Sequence, residues 1–337
     1  MTESYEEGID RFFWLARERQ MIYLRRRAGH PQTGWTRDPI LRKYRITNVY
    51  REQDKTTAWF REHVRDPLRN RPEVLLATVL FRWFNTIRTG ETIFLQPSLL
   101  DDYRTPWQVY LDTGNNEPMR HALRNQGPPW VTGAYMIRSP EGMDKLDGIL
   151  QSVDEFAKKA NWRHIAEVCI EGRDKSDPSM HLQAVWSWLR QFYGLGPFLA
   201  YEIVTDLRHT ALLDRAPDIM TWANPGPGAL RGARLLTHGP ERGRKGRLIK
   251  GDLAQTHEVM CDLMRRSQSV EYWPVVHGDA VLHHESYRHQ TTDVLGGSRT
   301  EDWPAWEMRE PEMWLCEMAK YERTRLGFGR PRGTFKL

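Results

Sequence analysis

The chain has 337 residues, room for about two domains and for a core that needs no disulfide or metal staples. Charged residues make up 28% and the net charge is +5; no apolar run approaches the roughly 18 residues of a membrane span, and the acidic start MTESYEEGID lacks the basic and apolar regions of a secretory signal. The three cysteines, Cys169, Cys261 and Cys316, are scattered with no C-x-x-C pair, which excludes a disulfide framework and a four-cysteine metal site and points to a reducing cytoplasm.

Apolar residues recur at helical spacing along most of the chain. Residues 9–27 predict a helix with Ile9, Phe12, Phe13, Ala16, Tyr23 and Leu24 on one face, and 48–63 predict a second. Pro72 suits the first position of a third, where Leu76, Val79, Leu80, Trp83, Phe84 and Ile87 form a stripe, with Arg82 and Asn85 on its polar side. Thr105-Pro106 and Glu117-Pro118 read as helix starts and Gly127 as a stop. Further helices are expected over 141–160, from Pro178 to about Tyr193, from Pro197, over 252–266 and over 311–325. Two stretches lack this periodicity: 223–251, rich in Gly, Pro and Arg, and 270–306, with clustered Trp and His. Both read as ordered loops. The expectation is a mainly α protein in two helical lobes, 1–140 and 141–337, with both chain ends completing the site.

Charge is unevenly spread. Residues 11–51 hold eleven Lys/Arg against two acids, 231–250 seven against one, and 318–337 six against one. Positive charge concentrated on an otherwise acidic chain is the pattern of a polyanion-binding face; solvated helix faces and a basic tail are the plainer account. Between two expected helices stands GLGPFLA at 194–200, the form of a helix-hairpin-helix as found in DNA glycosylases. Gly194 and Gly196 permit the tight turn, and amides opening the next helix, beside Phe198, can hold a DNA phosphate. In glycosylases built this way an aspartate follows some twenty residues later and faces the extruded nucleotide. Asp218 and Asp214 both qualify, and either can instead cap a helix.

Five longer segments extend the pattern: YRITNVYREQD at 44–54, GLGPFLAYEIVTDL at 194–207, NPGPGA at 224–229 followed by Arg231-Gly232, WLCEMAKYER at 314–323, and GFGRPR at 327–332. In this order, from about residue 40 to 335, they resemble the bacteriophage α-glutamyl/putrescinyl thymine pyrophosphorylases, also described as amino acid:DNA transferases. That family is similar to the helical domain of 5-hydroxymethyluracil DNA kinases. The resemblance implies a pathway. Phage double-stranded DNA carries 5-hydroxymethyluracil, a kinase phosphorylates the hydroxymethyl group, and a transferase replaces the phosphate or pyrophosphate with the amine of a free amino acid. Glycine and glutamate are the donors associated with the family, with glycine favoured, and neither a cofactor nor a metal is implied. The kinase step needs a P-loop, and no G-x-x-x-x-G-K-[ST] occurs. The nearest run, Gly239 to Gly246, lacks the spacing.

The implied reaction sets three tasks: extruding the base, neutralising the leaving group and deprotonating the amine. Arg45, Arg51, Arg82 and Arg231 are candidates for the leaving group or DNA phosphates, and Asn48 and Asn85 for a uracil edge, since an amide donates and accepts. Asp54, Asp218 and Glu317 are candidate bases. Arg323 is a candidate clamp for the amino acid carboxylate; Lys320 stands in the same helical motif and Asn224 in the NPGPGA motif. Alternatively, Arg51, Asp54, Glu317 and Lys320 join the chain ends through buried ion pairs. Cys316 as a thiolate adding to C6 of uracil, and a metal held by His277, Asp279, His283, His284 and His289, are weaker readings. A glycosylase, a non-catalytic DNA-binding partner of a kinase and an RNA-binding protein are the alternatives from other classes.

Overall fold

The computed structural model describes residues 4–335 apart from 101–102, 134, 172–180, 244–246, 279, 285–299 and 332. Two units partition the chain: residues 1–53 with 220–337, and residues 54–219. The expected linear boundary near residue 140 falls inside the second unit. The first unit is instead assembled from both chain ends.

In the first unit, helix α1 (Tyr5–Arg27) begins earlier than the periodicity suggested. Ser4 accepts the Glu7 amide while Glu7 reaches back to the Ser4 amide, a capping box. A short α2 (Pro39–Lys43) follows, capped by Asp38.

The expected helix over 48–63 is broken. Residues 51–53 form a 3-10 turn and Asp54 is extended, with ψ 134°; only then does α3 (Lys55–Phe60) begin. The chain leaves the first unit for the second at this break.

The second unit holds α3, a π-type turn over 61–65 and α4 (Glu73–Phe84). It continues with α5 (Ile87–Phe94), α6 (Pro106–Thr113), α7 (Glu117–Gln126), α8 (Lys145–Lys159), α9 (Trp162–Glu171), α10 (Leu182–Leu189) and α11 (Pro197–Leu207). Pro178, the expected start of α10, lies outside the described residues. The apolar stripe of α4 is buried, and Phe60 stacks on Phe81 at 4.3 Å between ring centres. Asn85 ends α4 in the left-handed conformation, φ 51°, which asparagine tolerates better than most residues.

The chain returns to the first unit in α12 (Pro227–His238), α13 (Leu253–Arg266), a hairpin of β1 (Val275–His277) and β2 (Ala280–Leu282), and α14 (Arg309–Arg325). The strands pair antiparallel, Val275 opposite Leu282. The stretch 223–251 is thus not wholly a loop. Pro227 is tolerated at the first helical position, and the glycines behind it serve packing. A Cβ on Gly228 would stand 2.2 Å from Cys316 Sγ, and one on Gly232 2.1 Å from the Leu315 carbonyl oxygen. Only hydrogen at these two positions lets α12 and α14 approach so closely. Phe12, Phe13, Trp273, Trp303, Trp306 and Trp314 fill the core of this unit. No described helix is long and apolar enough to cross a membrane.

Candidate functional site

The two chain ends meet in the first unit. Tyr44 forms an antiparallel bridge with Thr334, the Arg45 amide donates to Gly333 O at 3.0 Å and the Phe335 amide to Lys43 O at 3.0 Å. Three residues on, the Thr47 amide and hydroxyl both donate to the Glu317 carboxylate, at 3.2 and 3.1 Å. Lys320 Nζ donates to both Glu317 oxygens, at 2.6 and 2.8 Å. Burial alone would lower the Lys320 pKa; the charge and hydrogen bonds of Glu317 reverse this and hold it above the ordinary lysine value. Glu317 and Lys320 thus pair within α14, and it is Thr47, which the motif contained but the charge pattern passed over, that ties the 44–54 segment to Glu317.

Cations gather next to this pair. Arg231, on α12, donates from Nε to Leu248 O at 3.0 Å and from Nη1 to Pro227 O at 2.8 Å. Its pKa is lowered, first by burial and then by the charges of Arg247 and Arg323, while Cys316 acts in the opposite sense. Arg323, on α14, is one turn beyond Lys320, and its charge also opposes that of Lys320. Arg247, Arg231, Arg323 and Lys320 thus form a run in which each cation opposes the next. Arg247 lay within the basic run 231–250, but nothing in that run distinguished it from its neighbours. Crowded like charges on a partly buried site are relieved by a bound anion.

Cys316 sits inside the same cluster. Burial, then Glu317 and Glu312, push its thiol up to about 12, against the pull of Lys320 and Arg231. A thiol held there is protonated at neutral pH and is a poor nucleophile, which corrects the idea of a thiolate attacking uracil. Among the remaining candidates of this unit, Asn48 accepts from Arg19 at 2.5 Å and donates to Gln53 O at 2.9 Å, so its amide braces the backbone where a base-reading role was expected. Arg51 is buried in the 3-10 turn and Asn224 is half-buried before α12. Arg45 is exposed, its guanidinium 5.9 Å from the Phe335 ring.

The second unit holds the other candidates. Arg82 was expected to face a phosphate. It is 1% exposed and donates to both oxygens of Asp206, itself 0% exposed, at 2.5 and 2.7 Å. It also donates to Asn85 Oδ1 at 2.6 Å and to Thr57 Oγ1 at 3.3 Å. Arg82 and Asn85 are thus parts of one buried structural network. Asp218 was expected to act as a base, yet its two oxygens accept the Leu182 and Gln183 amides at 2.8 and 3.0 Å, capping the start of α10; capping takes the place of the expected base. Asp54 stands at the N-cap of α3.

The turn between α10 and α11 has Gly194 at φ +78° and Gly196 as the N-cap of α11. Phe198 is 54% exposed, edge-on to Tyr135 at 4.9 Å. Of the histidine group, Asp279 and His289 lie outside the described residues. Among the described residues no three His, Cys, Asp or Glu side chains are arranged to hold a metal.

The sequence profile of the family described as 5-hmdU DNA kinase, helical domain, matches residues 6–328. The chain belongs to that family. A 5-hmdU DNA kinase of Bacillus phage SP10 is 26% identical over an alignment of 244 residues that covers 67% of this chain and 36% of that protein. The match therefore spans little more than a third of the relative. No solved structure matches the chain significantly.

Proposed function

We propose that this chain acts in phage DNA modification, on double-stranded DNA carrying phosphorylated 5-hydroxymethyluracil, in the host cytoplasm. The finer reading is an amino acid:DNA transferase that replaces the phosphate or pyrophosphate with the amine of a free amino acid, glycine in the first instance. Family membership and the kinase relative support the hydroxymethyluracil context. The observation that carries the transferase reading is the run of cations Arg247, Arg231, Arg323 and Lys320 at α12 and α14, of which Lys320 is bonded to the Glu317 carboxylate.

In this reading the amine lone pair forms the N–C bond to the 5-methylene carbon while the C–O bond to the phosphate breaks. The electron pair leaves with the phosphate, where Arg231 and Arg247 neutralise it. Arg323 holds the amino acid carboxylate in bidentate fashion, and Glu317 takes the proton that the amine gives up. Arg45 and Arg51, with Asn224, serve the DNA and leaving-group side, and the turn at Gly194, Gly196 and Phe198 contacts the DNA backbone.

The test is mass spectrometry of nucleosides after the protein is incubated with phosphorylated 5-hydroxymethyluracil DNA and mixed amino acids. A new nucleoside bearing an amino acid is the expected product. Free modified base released without an amine donor would establish a glycosylase instead, and unchanged nucleosides would leave a binding partner of the kinase.

A further inference from the structure

The surface where the chain ends meet carries a second set of cations. Arg26, in the last turn of α1, lies over two rings at once, 4.8 Å from Trp35 and 5.0 Å from Phe335. The rings are edge-to-face at 5.2 Å, and Arg45 approaches Phe335 from the 44–48 segment at 5.9 Å. The platform is built in. Arg25 donates to Trp35 O at 2.6 Å, Trp35 Nε1 to His30 O at 2.8 Å, and the backbone pairing of 333–335 with 43–45 fixes Phe335.

Two of the cations here are paired and five are not. Arg25 lies 3.7 Å from Glu18 and Arg27 pairs with Asp302. Arg26, Arg37, Arg42, Lys43 and Arg45 are all exposed and have no carboxylate partner among the described residues. Asp38, the acid in this stretch, caps α2 and accepts the Tyr321 hydroxyl at 2.8 Å. Partial desolvation, then the neighbouring charge of Arg45, hold the Arg26 pKa below its ordinary value. Folding has thus placed two like charges on one aromatic pair. The rings attract each guanidinium without using its N–H groups, which stay available to donate to a phosphodiester.

We infer that Arg26 and Arg45, held beside the Trp35 and Phe335 rings and flanked by Arg42 and Lys43, form a clamp for the phosphate backbone of DNA. This site is separate from the Arg231–Arg323 cluster, and it deepens the reading under which the chain acts on DNA. A phosphodiester backbone fits better than an acidic protein, because four of the five exposed cations, Arg26, Arg37, Arg42 and Arg45, are guanidiniums, whose planar forks match phosphate oxygens.

The experiment is binding of the full chain to unmodified duplex DNA across a salt series, which needs no chemistry. The logarithm of affinity falls with the logarithm of salt by about 0.9 for each phosphate neutralised. Arg26→Ala with Arg45→Ala should weaken binding and flatten that slope by about two. Trp35→Leu keeps both charges and should weaken binding with little change in slope. Lys159→Ala, on the exposed face of α8, should leave both unchanged. A wild-type slope in the double arginine variant overturns the clamp, and because those side chains are exposed it decides the matter even if Trp35→Leu unfolds. Equal loss of binding to an acidic polypeptide competitor would also overturn it, marking a general anion surface. Wild-type protein that fails to bind DNA sinks the functional reading as well; wild-type binding with an unaffected double variant sinks the clamp alone.

Discussion

Gly232 rests against the backbone of Leu315, so close that a Cβ would stand 2.1 Å from the Leu315 carbonyl oxygen. A backbone atom of a helix cannot swing aside as a side-chain tip can. Replacing glycine with alanine inside a helix ordinarily gains up to about 1 kcal/mol. Here overpacking should outweigh that gain, and Gly232→Ala should lose about 2 kcal/mol or more. A thermal melt checks it: a Tm equal to or above wild type would mean that α12 and α14 pack less tightly than described.

Arg82 and Asp206 should behave as a buried ion pair whose halves cannot be removed singly. Asp206→Asn or Arg82→Met leaves an uncompensated charge in the second unit and should cost about 3–5 kcal/mol. Removing both partners with apolar replacements should cost much less. Urea denaturation of the two single variants and the double variant measures the coupling; additive losses would contradict the pairing.

Glu310 gives the first unit a pH dependence. Its carboxyl is buried, and burial pushes the pKa up to about 7, with Glu307 adding to the rise and Arg309 opposing it. The unfolded chain ionises this group near the ordinary glutamate value. Between that value and about 7 the folded state therefore holds more protons than the unfolded state. The stability contributed is full below the unfolded pKa and is lost as pH rises through the folded one. Glu310→Gln removes the loss, so its Tm relative to wild type should rise between pH 5 and pH 8, by an amount equivalent to at most about 3 kcal/mol. A Tm difference that stays constant across that range would show that Glu310 ionises normally.

Transfer activity separates the roles of Cys316 and Arg323. With its thiol held protonated, Cys316 should be dispensable, and Cys316→Ala should transfer amine within a few-fold of wild type. Arg323→Ala should remain folded and lose about 10²- to 10³-fold in rate, the usual effect of removing one preorganised charge contact. Single-turnover nucleoside analysis reads both. Loss of turnover in Cys316→Ala with normal melting would restore the covalent route.

Local chemistry made much of the helical framework legible. The stripe from Leu76 to Phe84 and the Thr105-Pro106 start both appear as helices because period, proline and cap coincide in a few adjacent residues. What the sequence hid was pairing at long range. Nothing near Arg82 signals that its partner is Asp206 on another helix, so a buried arginine on a polar stripe reads like a surface one. Asp218 likewise caps a helix that begins 36 residues before it. The Gly-Pro richness of 223–251 reads as a loop because glycine ordinarily weakens a helix, whereas in α12 it permits a close crossing. The motifs at 44–54 and 314–323 pointed to one place, and the Thr47–Glu317 contacts join them.

The discontinuous first unit also bears on how the chain is made. Residues 54–219 form a unit from one uninterrupted stretch, so that unit has all its partners while the ribosome is still translating the C-terminal third. The first 53 residues have no such completion. Thr47 and the aromatic face of α1 must wait for segments more than 170 residues downstream before their partners emerge. During that interval α1 exposes Phe12 and Phe13, whose native neighbour Trp306 has yet to be translated. The cations Arg231, Lys320 and Arg323 on α12 and α14 likewise cannot come together before residue 323 has been released.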